Sequence, residues 1–456
     1  MTDKTSRPAN TMLVAFRAEN VRSFRDRVEF SMEATALSER GVARKIPWRQ
    51  DRESYKEILP VAAVFGANAS GKTNLLRAMD DMQRVVLASF RNKRRSVRPR
   101  RLFRRPFLLD PAYQDKPTWF EIELIIGGVL YEYGFELNDR TIVSEWAIYH
   151  PKGRPANLFR RQKGGIVFGE HLKASSHAKL LRNMVRADSL FLSVVGAIDL
   201  SELSALNSLY NWFDRNFNLC AASSRESRWA YTTHLLEHEN RRDQVLELLQ
   251  IADLGITDAQ ARQADPEVLE KFRTIFESMQ EVQDDPNLTI DAEAIVGFSL
   301  SHQGVGGTYE LDASDESLGT LVWLGLIGPL LDSLIEGTVL LADELESSLH
   351  PALVTEIVRM FQNPKSNPQG AQLIFNSHEA RLLGNSSEDR VIGRDQAWFA
   401  EKSNDGASAI YPLSILGPRK SESIARRYLE GRYGATPILS HSEFGHFASR
   451  IASGSE

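Results

Sequence analysis

The sequence predicts an α/β fold in which a mixed central sheet and an antiparallel β region are interrupted by a helical insertion. Short, uniformly apolar runs at residues 59–65 and 339–342 are typical of strands buried in a parallel sheet. Alternating apolar and polar residues flank Gly127-Gly128, which is typical of an antiparallel hairpin. Apolar residues with helical spacing dominate from about residue 201 to 286, between two parts of the chain that are expected to form one domain.

Length and composition indicate a folded protein with ordinary surface chemistry. The chain has 456 residues, of which 42% are hydrophobic and 25% charged, enough for two or three domains or one domain with an insertion. A net charge of -5 argues against a uniformly basic nucleic-acid binder. Cys220 is the only cysteine, which excludes a disulfide framework and a cysteine metal site and predicts a reducing compartment.

The N-terminal residues and the apolar runs predict the location of the protein. Residues 1–10 are polar and lack the apolar core of a signal peptide. No uninterrupted apolar run reaches the roughly 18 residues that a membrane-spanning helix needs. We therefore expect a cytoplasmic protein without a membrane partner.

Residues 65–76, FGANASGKTNLL, match the pattern G-x-x-x-x-G-K-[ST] and follow an apolar strand, which is the context that this pattern requires. In such a loop, backbone N–H groups and the N-terminus of the next helix bind phosphates. Lys72 is expected to reach the outer phosphates and Thr73 to bind magnesium. The alternative is a glycine-rich turn of another α/β protein. The predicted phosphate-binding residues are Gly66, Ala67, Asn68, Ala69, Ser70, Gly71, Lys72, Thr73 and Asn74.

Two carboxylates follow the apolar run at residues 339–342, where parallel sheets bind their ligands. We expect Asp343 to hold magnesium and Glu344 to polarise a water for attack on the γ-phosphate. The alternative is a surface acid pair after a core strand. His378 follows a further short strand, and it is either a structural histidine or a group that orients the water near the γ-phosphate.

A second anion-binding turn is predicted at residues 315–320, DESLGT, just before an apolar helix at residues 321–334. Ser317, Gly319 and the N-terminus of this helix supply its donors. One nucleotide does not need two such turns from one subunit. We therefore expect Ser317 and Gly319 to act on the nucleotide of another subunit.

Several further elements are predicted from local patterns. An N-terminal hairpin combines residues 12–16 and 28–32, and a short strand covers residues 107–110. A helix is predicted at residues 266–282, and a second hairpin joins residues 295–300 and 308–311.

A basic run separates the first predicted helix from the antiparallel region. It contains no acid, so it is expected to repel itself and to stay solvated unless an anion neutralises it. Contact with nucleic-acid phosphates and a mobile surface loop are equally compatible with its composition. The cations of the run are Arg91, Lys93, Arg94, Arg95, Arg98, Arg100, Arg101, Arg104 and Arg105.

The order of these motifs resembles the ATP-binding-cassette ATPases, in the branch with RecF-like and SMC-like heads. FGANASGKT resembles the Walker A motif, ESLGT a degenerate signature, LLADELESSLHP the Walker B motif with its D-loop, and FNSHE the His switch. The opening FRAENVRSFRDRVEFSM resembles the N-terminal hairpin of that branch. DQAWFAEK and RRYLEGRYGATP are similar to the RloA or AbiL type found in bacterial abortive-infection and anti-phage loci.

The resemblance implies an ABC-type P-loop ATPase head that binds ATP and Mg²⁺ and forms a homodimer or higher homo-oligomer. It assigns Lys72 and Thr73 to phosphate and magnesium, Asp343 to magnesium, Glu344 as catalytic base and His378 as switch, with Ser317 and Gly319 acting in trans. It further implies control of a partner effector, a nuclease or toxin, in anti-phage defence. The alternative is a DNA-maintenance ATPase that binds DNA through the basic run.

The expected division of the chain is residues 1–200 and 289–456 for the two parts of the head, with a helical insertion at 201–288. Two features depart from the transporter cassettes: the signature lacks paired glycines, and no glutamine of the Q-loop type is identified. Together with the N-terminal hairpin and the long insertion, the degenerate signature counts against the energising subunit of a membrane transporter.

Overall fold

The computed structural model describes residues 8–39, 41–49, 53–90, 102–163, 165–198, 200–221, 224–252, 254–263, 296–437 and 441–452. The strands are β1 (Met12–Glu19), β2 (Val28–Ser31), β3 (Arg44–Pro47), β4 (Tyr55–Ile58), β5 (Val61–Gly66), β6 (Thr118–Ile126), β7 (Val129–Leu137), β8 (Ile142–Tyr149), β9 (Ala156–Gln162), β10 (Gly165–Phe168), β11 (Phe217–Cys220), β12 (Ile256–Gln263), β13 (Val296–Gly304), β14 (Gly307–Asp312), β15 (Val339–Ala342), β16 (Gln372–Ser377), β17 (Ala397–Lys402) and β18 (Ser408–Pro412).

The α-helices of the described residues are α1 (Lys72–Ala88), α2 (Pro111–Gln114), α3 (Glu170–Lys173), α4 (Ser176–Met184), α5 (Phe191–Ile198), α6 (Ser204–Asn216), α7 (Arg225–Leu235), α8 (Glu239–Ile251), α9 (Leu318–Glu336), α10 (Pro351–Gln362), α11 (Ile424–Leu429) and α12 (His441–Ala452).

A mixed six-stranded sheet carries the apolar runs that the sequence predicts as buried strands. Its order is β11-β15-β16-β5-β17-β18, and the strands from β11 to β17 run parallel. Ala62 and Val64 of β5 face one hydrophobic core, whereas Ala63 and Phe65 face another. Because both faces are covered, the strands are uniformly apolar rather than alternating. The predicted α/β class with a mixed central sheet is confirmed.

The antiparallel sheet has seven strands in the order β10-β9-β8-β7-β6-β1-β2. It contains the predicted N-terminal hairpin, in which Phe16 pairs with Phe30. Gly127 and Gly128 connect β6 to β7 with φ values of 58° and 76°. Two successive positive φ values match the right-handed twist of a two-residue hairpin, which explains the glycine pair.

Gln372 joins the two sheets. Its Oε1 accepts a hydrogen bond from Leu13 N at 2.7 Å, and its Nε2 donates to Leu13 O at 3.0 Å. The side chain is fully buried, so an unpaired amide here would cost free energy. The antiparallel sheet is therefore attached directly to the strand next to β5.

The region expected to be helical, residues 201–286, also contains strands. Phe217–Cys220 forms β11 and pairs in parallel with Val339–Ala342 at the edge of the central sheet. The second predicted hairpin is confirmed as β13 and β14, to which β12 adds a third strand. The helix predicted at residues 266–282 lies outside the described residues.

The strand predicted at residues 107–110 is wrong. The segment is irregular and pairs with no strand in the described part of the chain. Phe107 is buried, but its N–H donates to the side-chain Oδ1 of Asn20 at 3.0 Å instead of to a neighbouring strand. A local apolar alternation cannot indicate such a side-chain partner.

Helix α9 begins at Leu318, near the predicted start, and is long and apolar enough to cross a membrane. It packs against α7 and the central sheet, and 56% of its most apolar 18-residue stretch is buried inside the protein. At Gly328, the N–H donates to Thr232 Oγ1 of α7 at 3.1 Å. These contacts are those of a core helix, in which glycine permits close approach of a neighbouring helix.

Candidate functional site

The predicted phosphate-binding loop lies between the carboxyl end of β5 and the N-terminus of α1. A Cβ added to Gly66 would lie 2.5 Å from the backbone oxygen of Ala400, closer than any side chain tolerates. Gly71 has a φ of 107°, and a Cβ there would lie 2.4 Å from Ser408 Oγ. Both fixed glycines are thus required by the contact of the loop with β17 and β18.

Lys72 folds back onto the loop that precedes it. Its Nζ donates to the carbonyl oxygens of Gly66 and Ala67, both at 2.8 Å. Burial lowers the pKa of Lys72 to about 8, although the negative charges of Glu346, Glu344 and Asp343 oppose this shift, Glu346 most strongly. The ammonium group is thereby held at the centre of the loop.

Ser70 contributes a buried hydroxyl to the loop. Among the residues that the structure describes, this hydroxyl has no hydrogen-bond partner. Ala69 next to it has a φ of 61°, a left-handed conformation that turns the backbone sharply. A curved glycine-rich backbone, an ammonium group and an unpartnered hydroxyl together suit an oxygen-rich anion such as a polyphosphate.

Thr73 and Asp343 meet beside the loop. Thr73 Oγ1 donates to Asp343 Oδ1 at 2.7 Å, and these oxygens come from the start of α1 and the carboxyl end of β15. A hydroxyl and a carboxylate are hard oxygen donors of the kind that Mg²⁺ prefers. The two residues predicted to bind magnesium are therefore adjacent, with a donor set that fits this ion.

Asn376 holds this pair together and was not predicted as a site residue. Its Nδ2 donates to Asp343 Oδ1 at 2.6 Å and lies 3.2 Å from Thr73 Oγ1. Its Oδ1 accepts a hydrogen bond from Glu344 N. The side chain is fully buried at the end of β16. A single asparagine in an apolar strand forms no recurring pattern. Only its position directly before Ser377 and His378 could have indicated from the sequence that it belongs to the site.

Glu344 has an exposed side chain and a φ of 54°. A non-glycine residue in the left-handed region is strained, and the hydrogen bond to Asn376 supports it here. This backbone conformation turns the chain immediately after Asp343, so Glu344 does not continue in the direction of β15.

His378 lies at the same edge of the sheet. Its backbone N–H donates to Glu346 Oε1 at 2.5 Å. Burial lowers the pKa of His378, as does the positive charge of Lys72, while Glu346 and Glu344 oppose the shift. The charges of Lys72 and Glu344 therefore both act on the His378 ring, so the three side chains belong to one site. Glu346 was not predicted; its Oε2 is buried without a hydrogen-bond partner.

Asn74, expected among the phosphate-binding residues, has its side chain directed to the N-terminal hairpin. Its Nδ2 donates to Ser23 Oγ at 2.8 Å, and Ser408 Oγ lies 2.8 Å from the same oxygen. Arg22 forms a two-point ion pair with Asp81 of α1 at 2.5 and 2.7 Å. The hairpin therefore fixes the first turns of α1, a role for residues 22 and 23 that was not predicted.

The second anion-binding turn lies at the N-terminus of α9. Ser317 Oγ accepts a hydrogen bond from Thr320 N at 3.1 Å and caps the helix. A Cβ on Gly319 would lie 2.8 Å from Ser348 O, so the turn packs closely on the segment after Glu344.

This turn is separate from the phosphate-binding loop in one chain. Helix α9 packs on β11 and β15, whereas the loop follows β5, which is two strands from β15. Neighbouring strands are about 4.8 Å apart, so the two features are offset by roughly 10 Å along the sheet. Within the described residues, no hydrogen bond joins Ser317 or Gly319 to the loop.

Most of the basic run, residues 91–101, lies outside the described residues. Arg104 has a nearly buried side chain that pairs with Asp139 at 2.6 Å. Its guanidinium also donates to the carbonyl oxygens of Gln114 and Lys116. Arg104 is therefore a structural residue, and the nucleic-acid contact that the sequence leaves open for the run does not include this side chain.

Solved structures similar to this chain include two SMC heads with low sequence identity. The SMC head domain from Thermotoga maritima has 13% identity and a TM-score of 0.37, covering 88% of this chain and 98% of its own. The Pyrococcus furiosus Smc head domain, with an extended coiled coil and bound to the C-terminal domain of ScpA, has 13% identity and a TM-score of 0.35, covering 89% and 98%. No curated protein matches the sequence.

A protein-family model matches residues 61–384, most of the chain. The match begins at β5, includes the loop, Asp343, Glu344 and Asn376, and ends just after His378. It thus spans the residues that the fold brings to one edge of the central sheet. The chain belongs to the family described as "AAA domain, putative AbiEii toxin, Type IV TA system".

Proposed function

We propose that this protein is an ATPase of the cassette type whose two copies close around ATP. The observation that carries the proposal is the contact of Thr73 with Asp343 beside a glycine-rich loop that holds Lys72. Transfer of a γ-phosphoryl group needs both a loop that binds the phosphates and a cation site with oxygen ligands. Separate segments of this chain supply the two.

The loop residues 66–74 bind the polyphosphate through backbone N–H groups and the N-terminus of α1. Lys72 exchanges its two carbonyl partners for phosphate oxygens, which keeps its ammonium group paired. Thr73 and Asp343 would hold Mg²⁺, which would supply positive charge to the phosphates. Asn376 keeps both of these ligands in place through its hydrogen bonds.

Glu344 is the proposed base that accepts a proton from the attacking water. Its side chain is exposed at the same edge of the sheet as the loop, where a water has access. His378, with its pKa lowered, is neutral near pH 7 and orients the water or senses the γ-phosphate by hydrogen bonding.

Ser317 and Gly319 complete the site of a second copy. The capped turn at the N-terminus of α9 is displaced from its own loop, and a helix N-terminus favours an anion. ATP held between two copies stabilises the closed dimer by mass action, so occupancy controls assembly. We propose residues 1–200 and 289–456 as the head and 201–288 as its insertion.

The biological role that we propose is control of an effector, a nuclease or toxin, in cytoplasmic anti-phage defence. Two features support it: the similarity of DQAWFAEK and RRYLEGRYGATP to the RloA or AbiL type, and the family description, which mentions a toxin-antitoxin system. Closing and opening of the dimer would then set the state of the effector.

Substitution of Glu344 tests the proposal. We expect Glu344→Gln to bind ATP with Mg²⁺, to reduce hydrolysis by about a hundredfold or more, and to accumulate an ATP-dependent dimer in sedimentation velocity. Glu356→Gln, on the exposed face of α10, is the matched control and should hydrolyse ATP normally. Hydrolysis by Glu344→Gln at the wild-type rate would show that Glu344 is not the base.

The biological role needs a separate test, because ATPase activity alone does not establish it. Cells that carry the gene with its operon neighbours are challenged with phage, and survival is compared between wild type and Glu344→Gln. We expect protection to be lost in the variant. Equal protection by both would disconnect the ATPase cycle from defence.

A further inference from the structure

The turn that carries Ser317 is held by a residue of the three-stranded sheet. His302 Nε2 lies 2.7 Å from Glu316 Oε1, and Glu316 directly precedes Ser317 in the chain. The Glu316 side chain is only 4% exposed, and that of His302 is 24% exposed. A carboxylate so deeply buried needs its partner, because loss of the partner leaves the charge uncompensated.

His302 belongs to the inner face of this sheet. It lies on β13 two residues after Leu300, which is fully buried, so both side chains point to the same side. That side packs against α7 and α8, and α7 in turn packs against α9. The sheet, the helices and the turn therefore form one continuous packed unit.

Besides its close packing on Ser348, the turn is held by few hydrogen bonds in the described residues. Residues 313–315 form a single 3₁₀ turn after β14, closed by a 3.4 Å hydrogen bond from Glu316 N to Ala313 O. Ser317 then caps α9 with its hydroxyl. The His302–Glu316 contact is the side-chain hydrogen bond that joins this turn to β13 in the described region.

We propose that His302 is a positioning residue for the composite ATP site: through Glu316, it fixes the orientation in which Ser317 and Gly319 are presented to a second copy. The inference rests on the proposed function, because it assumes that this turn acts in trans. It adds that the three-stranded sheet, to which the proposed insertion contributes β12 and the head β13 and β14, sets the geometry of the trans contact. Neither residue contacts the phosphate-binding loop of its own chain in the described structure.

Three substitutions distinguish positioning from general packing. His302→Leu fills part of the same volume with an apolar side chain and removes the hydrogen bond, whereas His302→Gln places an amide Nε2 where it can donate to Glu316. Glu316→Gln removes the charge from the other side. His150→Leu is the matched control, since His150 Nε2 lies 2.7 Å from Glu132 Oε1 on the distant antiparallel sheet.

The first measurement is amide hydrogen exchange of the full chain without ATP. In His302→Leu, we expect exchange in residues 316–321 to accelerate about tenfold, because the turn opens more often. His302→Gln should restore slow exchange, and His150→Leu should leave this peptide unchanged. Unchanged exchange in His302→Leu, or equal acceleration in His302→Gln, overturns the inference whatever the ATPase does.

The second measurement is ATP-dependent association in the Glu344→Gln background. We expect His302→Leu to bind ATP as a single chain with unchanged affinity, but to associate about tenfold more weakly, as couplings of this size are typical between linked sites. His302→Gln should associate like its parent. Undiminished association of His302→Leu, or parallel loss of single-chain ATP binding, overturns the positioning role. If the Glu344→Gln parent itself does not associate with ATP, the trans site fails, while hydrogen exchange still decides the link to the turn.

Discussion

Thr73 Oγ1 and Asp343 Oδ1 are joined by a hydrogen bond of 2.7 Å, although the two residues are 270 positions apart in the sequence. The contact joins the first turn of α1 to the end of β15, and the side chain of Asn376 closes it from the adjacent strand. Three segments thus build the candidate cation site: they supply the hydroxyl of Thr73, the carboxylate of Asp343 and the amide of Asn376.

Replacing Asn376 with leucine should separate nucleotide binding from hydrolysis. The change leaves Asp343 and Glu344 N without their amide partner but does not alter Lys72. We expect kcat to fall about tenfold to a hundredfold, as for loss of other groups that support a metal site, with a raised Mg²⁺ requirement. Steady-state kinetics at several Mg²⁺ concentrations measure this. Asn363→Leu, at an exposed position, is the control; an effect of the same size there would refute the role of Asn376.

ATP binding should take up a proton near pH 8. Burial lowers the pKa of Lys72 to about 8, so the ATP-free protein loses this charge as the pH rises through 8, whereas polyphosphate raises the pKa again. At pH 8 we expect uptake of about half a proton, with affinity declining by up to about tenfold per pH unit above it. Calorimetry in buffers of different ionisation enthalpy measures the uptake. Lys72→Arg remains charged and should show none; the same uptake in that variant would assign the proton elsewhere.

Gly66→Ala should abolish ATP binding, because the added Cβ meets the backbone oxygen of Ala400 at 2.5 Å and no side chain can move to relieve the contact. Gly445→Ala is the control, since a Cβ there meets no neighbouring atom within 4 Å. Binding of a fluorescent ATP analogue and thermal melting are measured together. Normal ATP binding by Gly66→Ala would show that the loop does not need its contact with β17.

Glu145→Ala should destabilise the fold by about 3–5 kcal/mol, because it breaks a buried network in which Arg161 Nη1 lies 3.8 Å from Glu145 Oε2. The Glu145 carboxylate is fully buried and accepts hydrogen bonds from Phe191 N at 2.7 Å and Leu192 N at 3.0 Å, at the start of α5. Urea unfolding measures the loss. Glu170→Ala, which removes an exposed carboxylate, should change stability little, and an equal effect of both substitutions would contradict the prediction.

The sequence predicted those parts of the fold that have a local signature. The P-loop pattern, the glycine pair at 127 and 128, and the uniformly apolar run at residues 339–342 each follow from local backbone or burial requirements, and the structure contains each element. The residues predicted to hold magnesium, Thr73 and Asp343, also lie together. The roles assigned to them stay predictions.

Long-range partners explain what the sequence did not reveal. Phe217–Cys220 follows a helix and looks like part of a helical region, but the edge of β15 offers it a parallel partner. Phe107 finds a side chain, Asn20, instead of a strand. Asn376 and Gln372 each occupy one buried position, and their importance depends on residues about 30 to 360 positions away, which no local period encodes.

The contacts of Gly66 with Ala400 and of Gly71 with Ser408 have a consequence for protein synthesis. The strands against which these glycines pack are made more than 300 residues after the phosphate-binding loop. The antiparallel sheet, which ends at Phe168, has all its strands long before that point. Both neighbours of β5, β16 and β17, are also made more than 300 residues after it, so β5 stays without its sheet partners until then. Because such distant pairings form slowly, the loop gains its final shape only when these strands pair.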